Sequence, residues 1–230
     1  LSFPERFGTK EAMAEPSVDT LATQIHRLLR QDLLDGVLAP GIKLKVHDLA
    51  ARYGAGPSPV REALASLSSE GLVERLDQRG FRAAPASVAE FDELVRARAW
   101  VEEVALRESI TAGDAAWEEA VVLARFRLER MPREEAGWEA AHIAFHAALL
   151  AACPSPTLLG FCGTLRDRAA RYRALARAVA YPSRDIAAEH AAIAEAALGR
   201  DAAQAVTLLA AHYRATAGWL RQALARRDAA

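Results

Sequence analysis

The chain has 230 residues, 52% of them hydrophobic and 26% charged, so it can bury a core and is not disordered by composition. With 29 basic and 30 acidic residues its formal net charge is −1, and any nucleic-acid contact must come from a local patch. Two cysteines, Cys153 and Cys162, cannot build a disulfide framework, and no apolar run approaches the roughly 20 residues of a membrane span, so the expectation is a cytoplasmic protein with no membrane partner.

Residues 1–17 read as a flexible arm, with two prolines, a glycine, mixed charge and no periodicity; they lack the order of a secretory signal. A first helix is predicted over 18–34, with Asp19 and Thr20 as cap residues and Leu21, Ile25, Leu28, Leu29 and Leu33 at helical spacing. Ala39-Pro40-Gly41 makes a turn, and Ile42 and Leu44 alternate with Lys43 and Lys45 as a very short strand would. A short helix follows from Val46 to Tyr53. A third runs from about Pro59 to Glu70, with proline tolerated in its first turn because the missing N–H would have no partner there. Residues 72–76 and 81–84, joined by Asp77-Gln78-Arg79-Gly80, read as a hairpin. This order over 18–86 is that of a winged helix-turn-helix, a DNA-binding fold.

After Pro85 alanine and arginine dominate and strand signals vanish. Six helices are predicted, at roughly 87–111, 114–130, 134–151, 157–180, 184–199 and 201–227, separated by glycine- and proline-containing breaks. Short connections suggest an antiparallel bundle over 87–230. The fold class is therefore mainly α, a winged helix-turn-helix followed by an all-α bundle.

The segment 18–86 holds nine Lys or Arg against eight Asp or Glu, but these are unevenly placed. Lys43 and Lys45 flank the entry to the second helix, Arg61 lies in the third, and Arg75, Arg79 and Arg82 lie in the hairpin. In such a fold the third helix enters the major groove by its N-terminal end. Ordinary solvated surface is the alternative for any one of these residues.

Several blocks here resemble the GntR family of bacterial transcription regulators: Leu38-Ala39-Pro40-Gly41-Ile42-Lys43-Leu44, Asp48-Leu49-Ala50, Pro59-Val60-Arg61-Glu62-Ala63-Leu64, Glu70-Gly71-Leu72-Val73 and Arg79-Gly80-Phe81. The resemblance implies a homodimer that reads a palindromic operator in double-stranded DNA. It also implies phosphate or base contacts at Ser58 and Arg61, a wing tip at Arg79 and Gly80, and a contact position at His47; Lys45, at the entry to the second helix, joins them as a candidate. One departure stands out. Most members carry Ser-Arg-Thr-Pro where this chain has Gly56-Pro57-Ser58-Pro59, so an arginine that would reach a base edge is replaced by Pro57. A bidentate arginine on guanine is worth about 1–3 kcal/mol of discrimination.

Four of the six histidines fall in the helical half: His142 and His146, four apart on one helix face, with His190 and His212 in the last two helices. Imidazole suits zinc, nickel, copper or iron, while core or interface packing is the plain alternative. Phe145-His146, Glu189-His190, Gly199-Arg200-Asp201 and His212-Tyr213 resemble the FCD-type C-terminal domain of FadR-like GntR members. Many of these bind a divalent metal through one aspartate and three histidines. His142 stands at the aspartate position, so the implied site is all-histidine, which favours zinc or nickel over magnesium or manganese. Open coordination positions would admit the carboxylate of a small organic-acid effector. Arg98, one turn from Glu102, is a candidate carboxylate clamp or an intrahelical surface ion pair; Arg171 is a second effector-binding candidate, with Arg173 as its alternative, since periodicity does not fix which of the two faces the cavity. Cys153, seven residues after His146, reads as a buried thiol. Trp100, Trp117, Trp138 and Trp219 read as core or interface aromatics.

The resulting expectation is a DNA-binding regulator, a repressor, modulated by an anionic metabolite at a histidine-held metal, and not an enzyme. Two alternatives remain. One is a metal-dependent hydrolase, although His142 is followed by Ile143 and not by the glutamate of an HExxH motif. The other, kept open by Pro57, is a regulator without sequence-specific readout.

Overall fold

The structure, a computed structural model, describes residues 20–77, 79–133, 135, 137–175 and 184–228. The arm expected over 1–17, and the last residues of the helix expected over 157–180, lie outside the described residues.

The first half folds as its pattern predicts. Helix α1 (Leu21–Leu34) starts at Thr20, whose hydroxyl accepts the Thr23 N–H at 3.2 Å, and it buries Ile25, Leu29, Leu33 and Leu34. Strand β1 (Lys43–Leu44) is followed by α2 (Val46–Arg52) and α3 (Pro57–Ser69), then by the hairpin of β2 (Val73–Leu76) and β3 (Gly80–Ala83). The sheet is antiparallel in the order β1-β3-β2, with Leu44 opposite Phe81 and Leu76 opposite Gly80. Gly80 sits at φ +91°, a conformation that disfavours any side chain in the wing turn. Ile25, Leu29, Val60, Leu64, Leu67 and Leu72 form the centre of this core; each such side chain contributes about 1.5–3 kcal/mol by leaving water.

Helix α3 begins two residues earlier than the pattern indicated. Gly56 is its N-cap, so Pro57 and Pro59 both stand within the first turn, where neither missing N–H breaks a helical hydrogen bond.

Among the described residues the second half is six helices: α4 (Val88–Ala112), α5 (Ala115–Glu129), α6 (Trp138–Leu150), α7 (Pro156–Leu175), α8 (Ile186–Leu198) and α9 (Ala202–Asp228). Ser87, Asp114, Ser155, Asp185 and Asp201 each accept a backbone N–H three residues on, so side-chain caps set five of the starts. Helix α6 starts four residues later than expected because Gly137, at φ +105°, turns the chain first. The long α4 packs on α6, α7 and α9, while α8 bridges α5 and α9. Trp117 is buried in this core and donates its indole N–H to the Ala148 carbonyl at 3.0 Å. Trp100, by contrast, is 69% exposed on α4. Among the described residues no helix is long and apolar enough to cross a membrane.

The halves meet along α1 and α7. Ala170 is buried in the N-terminal core, and Ile143 of α6 packs against its edge.

Candidate functional site

Three helices bring the four bundle histidines together. His142 and His146 come from α6, His190 from α8 and His212 from α9, all buried, and one ring nitrogen from each lies within 4.8 Å of all the others. The Nε2 atoms of His142 and His146 are 3.1 Å apart. Nitrogens around a tetrahedral zinc stand about 3.4 Å apart, so closing the site takes side-chain shifts of an ångström or so.

The electrostatics suit ligation. Burial, reinforced by Arg173 and the neighbouring imidazoles, holds His142 well below its ordinary pKa, and burial with the other three histidines does the same to His146. Burial and His212 bring His190 down to about 3. His212 is also lowered, chiefly by burial. At neutral pH four uncharged imidazoles therefore face one another. The buried Nε2 of His190 has no hydrogen-bond partner among the described residues, as suits a ligand atom, and His142 turns Nε2 to the other imidazoles and Nδ1 outward.

Outside the imidazoles stand three arginine–glutamate pairs. Glu189 accepts the Nδ1–H of His212 at 2.8 Å, which leaves His212 Nε2 for the centre, and Arg184 braces Glu189 at 2.5 and 2.7 Å. Burial raises the Glu189 carboxyl, but the hydrogen bonds from Arg184 and His212 outweigh it and bring it to about 2. Glu139 lies 4.0 Å from His142 Nδ1 and accepts from Arg173 at 2.6 Å. Glu102 accepts from Arg98 at 2.8 Å and from the Tyr213 hydroxyl, which also lies 3.4 Å from His146 Nδ1. Each carboxylate is thus one step out and matched by a guanidinium. A bound cation would keep most of its charge for a ligand. Trp138 stacks on His142 with ring centroids 4.8 Å apart.

A cavity of about 650 Å³ opens beside His142 and His212, with Trp138, Arg173 and Arg184 on its wall. Arg98 lines a second, narrow crevice that shares His142, Arg173 and His212 with that cavity. Its pairing with Glu102 is intrahelical, as one alternative had it, but fully buried and not on the surface. Arg171 is corrected by its placement. It lines neither space; its guanidinium donates to the carbonyls of Ala84 and Pro85 at 2.9 and 3.1 Å, at the junction of the two halves. Two residues are about 200° of helix, so Arg173 faces the histidines when Arg171 does not. Cys153 is buried in the bundle core outside the histidine group, and burial beside Glu102 raises the Cys162 thiol to about 11.

On the first half, Lys45, His47, Ser58, Arg61, Arg79 and Gly80 are all exposed. Lys45 lies 3.7 Å from Asp48, whereas Arg52 pairs with Asp32 and Arg82 with Glu74 within the fold. Arg184 and Trp138 are site residues that sequence reasoning did not select; Arg173 stood there only as an alternative to Arg171, and Glu189 only as a carboxylate beside His190.

Comparison with known proteins finds matches in both parts of the chain. Residues 21–82 match the family described as bacterial regulatory proteins, gntR family, and residues 93–215 match the FCD domain. An uncharacterized HTH-type transcriptional regulator, BphR of Paraburkholderia xenovorans, is 36% identical over 90% of this chain and 87% of its own length. The HTH-type transcriptional repressor GlaR of Escherichia coli is 34% identical over 87% of this chain and 96% of its own. Among solved structures, E. coli McbR/YncC superposes with a TM-score of 0.77 at 21% identity, covering 89% of this chain and 99% of that one, a likeness of fold.

Proposed function

The chain belongs to the GntR family of bacterial transcription regulators, in the group that carries an FCD domain, and we propose that it is a dimeric repressor released by an organic acid that binds at a histidine-held zinc or nickel ion. DNA binding and a regulatory role follow from the family; its relatives are regulators, not enzymes. One of them is a named repressor, which supports that direction for this chain.

The observation that carries the proposal is the convergence of four neutral, buried imidazoles from three helices within 4.8 Å. His142, His146, His190 and His212 are the ligands. An all-nitrogen set selects borderline ions such as zinc or nickel over oxygen-seeking ones. When bound, the ion supplies a Lewis-acidic centre for a carboxylate oxygen. Arg98, Arg173 and Arg184 orient that anion, each by exchanging part of its bond to a glutamate. Exposed Lys45, His47, Ser58, Arg61, Arg79 and Gly80 are the duplex contacts, and two copies related by a two-fold axis match a palindrome. The assignment of 18–86 to DNA and 87–230 to sensing is part of the same reading.

Calorimetric titration of chelator-treated protein with zinc and nickel tests the site, with stoichiometric binding expected. Gel shifts on the upstream region, with the loaded protein and a panel of organic acids, test the release. Absence of metal binding would remove the sensor; binding that no acid weakens would remove the effector.

A further inference from the structure

The cavity beside the histidines is not closed by the bundle alone. Arg30, Gln31 and Leu34 of α1, and Asp35 at its end, form part of its wall, facing His142 and Arg173. A helix of the DNA-reading half therefore borders the space in which an effector would sit.

Arg30 has a particular position there. Its guanidinium pairs with Asp167 of α7, and its Nε lies 3.4 Å from Glu70 Oε2. Glu70 is the C-cap of α3, the helix presented to the major groove, and it is also bonded to His26 of α1 at 2.5 Å. One side chain thus joins the cavity wall, the bundle and the end of the recognition helix. Its partners are both carboxylates, and it is 29% exposed, so it can be reached. The polar tie from Arg171 to the carbonyls of Ala84 and Pro85 does not line the cavity, whereas the apolar junction contacts Ile143 and Ala170 do but carry no charge for an anion.

We propose that α1 is itself part of the sensor: an anion in this cavity is bound by Arg30 in exchange for Asp167, which loosens α1 and the end of α3 from α7. This rests on the effector reading above and adds where the ligand acts. A ligand can bias two arrangements only through contacts that differ between them, and here the differing contact is one guanidinium shared between the protein's carboxylate and the ligand's. No relay through the bundle is needed. The ligand's far end must carry negative charge, because it replaces a carboxylate.

A tethered anion tests this without knowledge of the natural effector. Gln31 is exposed on α1 and lines the cavity; Leu28, 50% exposed, lies on α1 but does not line it. Gln31→Cys and Leu28→Cys are each modified either with sulfonatoethyl methanethiosulfonate, which leaves an anionic tail, or with methyl methanethiosulfonate, which leaves a neutral cap. The native Cys153 and Cys162 are buried. Affinity is measured for a duplex selected by the unmodified protein from random sequence. At position 31 the anionic tail should weaken binding about ten-fold relative to the neutral cap, at position 28 the two should agree, and Arg30→Gln should abolish the difference at 31. Equal affinities at 31, an equal difference at 28, or a difference at 31 that survives Arg30→Gln overturns the proposal. Zinc titration of the neutral-capped protein decides the metal site separately, so the two readings fail independently.

Discussion

Arg98→Met separates what the buried ion pair does for the fold from what it does for the histidines. The Arg98 and Glu102 side chains are 6% and 1% exposed. Arg98 donates to Glu102 at 2.8 and 3.3 Å and to the Tyr213 hydroxyl at 3.0 Å, and Tyr213 in turn bonds Glu102. Removing the guanidinium leaves a carboxylate in the bundle with one neutral donor, and breaking a buried pair in this way costs about 3–5 kcal/mol. That is a large share of the roughly 5–15 kcal/mol by which a domain is stable. Replacing the whole group by apolar side chains of similar volume (Arg98→Met, Glu102→Leu, Tyr213→Phe) should restore most of the loss, since no orphaned charge remains. Zinc affinity should not recover with it. His146 Nδ1 would have lost the Tyr213 hydroxyl that orients the ring, and losing such an outer contact typically costs about 10–100-fold in metal affinity. Urea unfolding and competitive zinc titration read the two quantities apart. A single variant losing less than about 1 kcal/mol, or a triple variant as unstable as the single, would refute the buried-pair reasoning.

The chelator-treated protein should lose stability as pH falls below about 6.5. The depressed histidines are unprotonated in the fold but take up protons when unfolded, so His190 alone, at about 3 against 6.5, removes about 2 kcal/mol by pH 5, measurable as a falling Tm. Arg61→Ala should weaken binding to all duplexes alike and lower the salt dependence by about one counterion in a fluorescence titration, as a phosphate contact does. Gly113→Ala should destabilise by about 1–3 kcal/mol in urea unfolding, because a Cβ there would overlap the indole of the buried Trp117.

The elements were legible because their causes are local. Leu29 and Leu33 recur at helical spacing, Gly80 permits the wing turn, and Ser87 and Asp114 cap α4 and α5. His142 and His146 share a face by spacing alone. That His190 and His212 join them depends on how α8 and α9 pack, which no local pattern states; only the family resemblance pointed there. The choice between Arg171 and Arg173 was illegible for a specific reason. From Arg166 to Arg173 the helix carries arginine on two opposite faces, Arg166 and Arg173 on one and Arg168 and Arg171 on the other, so neither face ranks as the polar one. Arg30 and Gln31 were hidden differently: they lie on the polar side of an amphipathic helix, which reads as solvent until another part of the chain is set against it.

Pro57 is a local departure with a consequence that only the helix start reveals. An α-helix presents four backbone N–H groups at its N-terminus, and these make it a natural phosphate contact. With Gly56 as the N-cap of α3 and Pro57-Ser58-Pro59 following, two of the four positions are prolines, and only Gly56 and Ser58 retain a free N–H. The same end lacks the family's base-reading arginine. The single change to Pro57 removes both a backbone N–H and a guanidinium from one place, so on the proposed contact set the burden of holding the duplex moves to side chains that remain exposed: the Ser58 hydroxyl, Arg61 one turn in, and Arg79 in the wing. A helix so disarmed at its tip cannot discriminate guanine by a bidentate contact there. On the proposed contact set, sequence preference comes from His47 on α2 and from the groove shape that Arg79 meets, so substitution at His47 or Arg79 should relax operator selectivity more than substitution at Ser58. Selection of duplexes from random sequence by each variant measures this; a Ser58→Ala protein that loses selectivity while a His47→Ala protein keeps it would reverse the assignment.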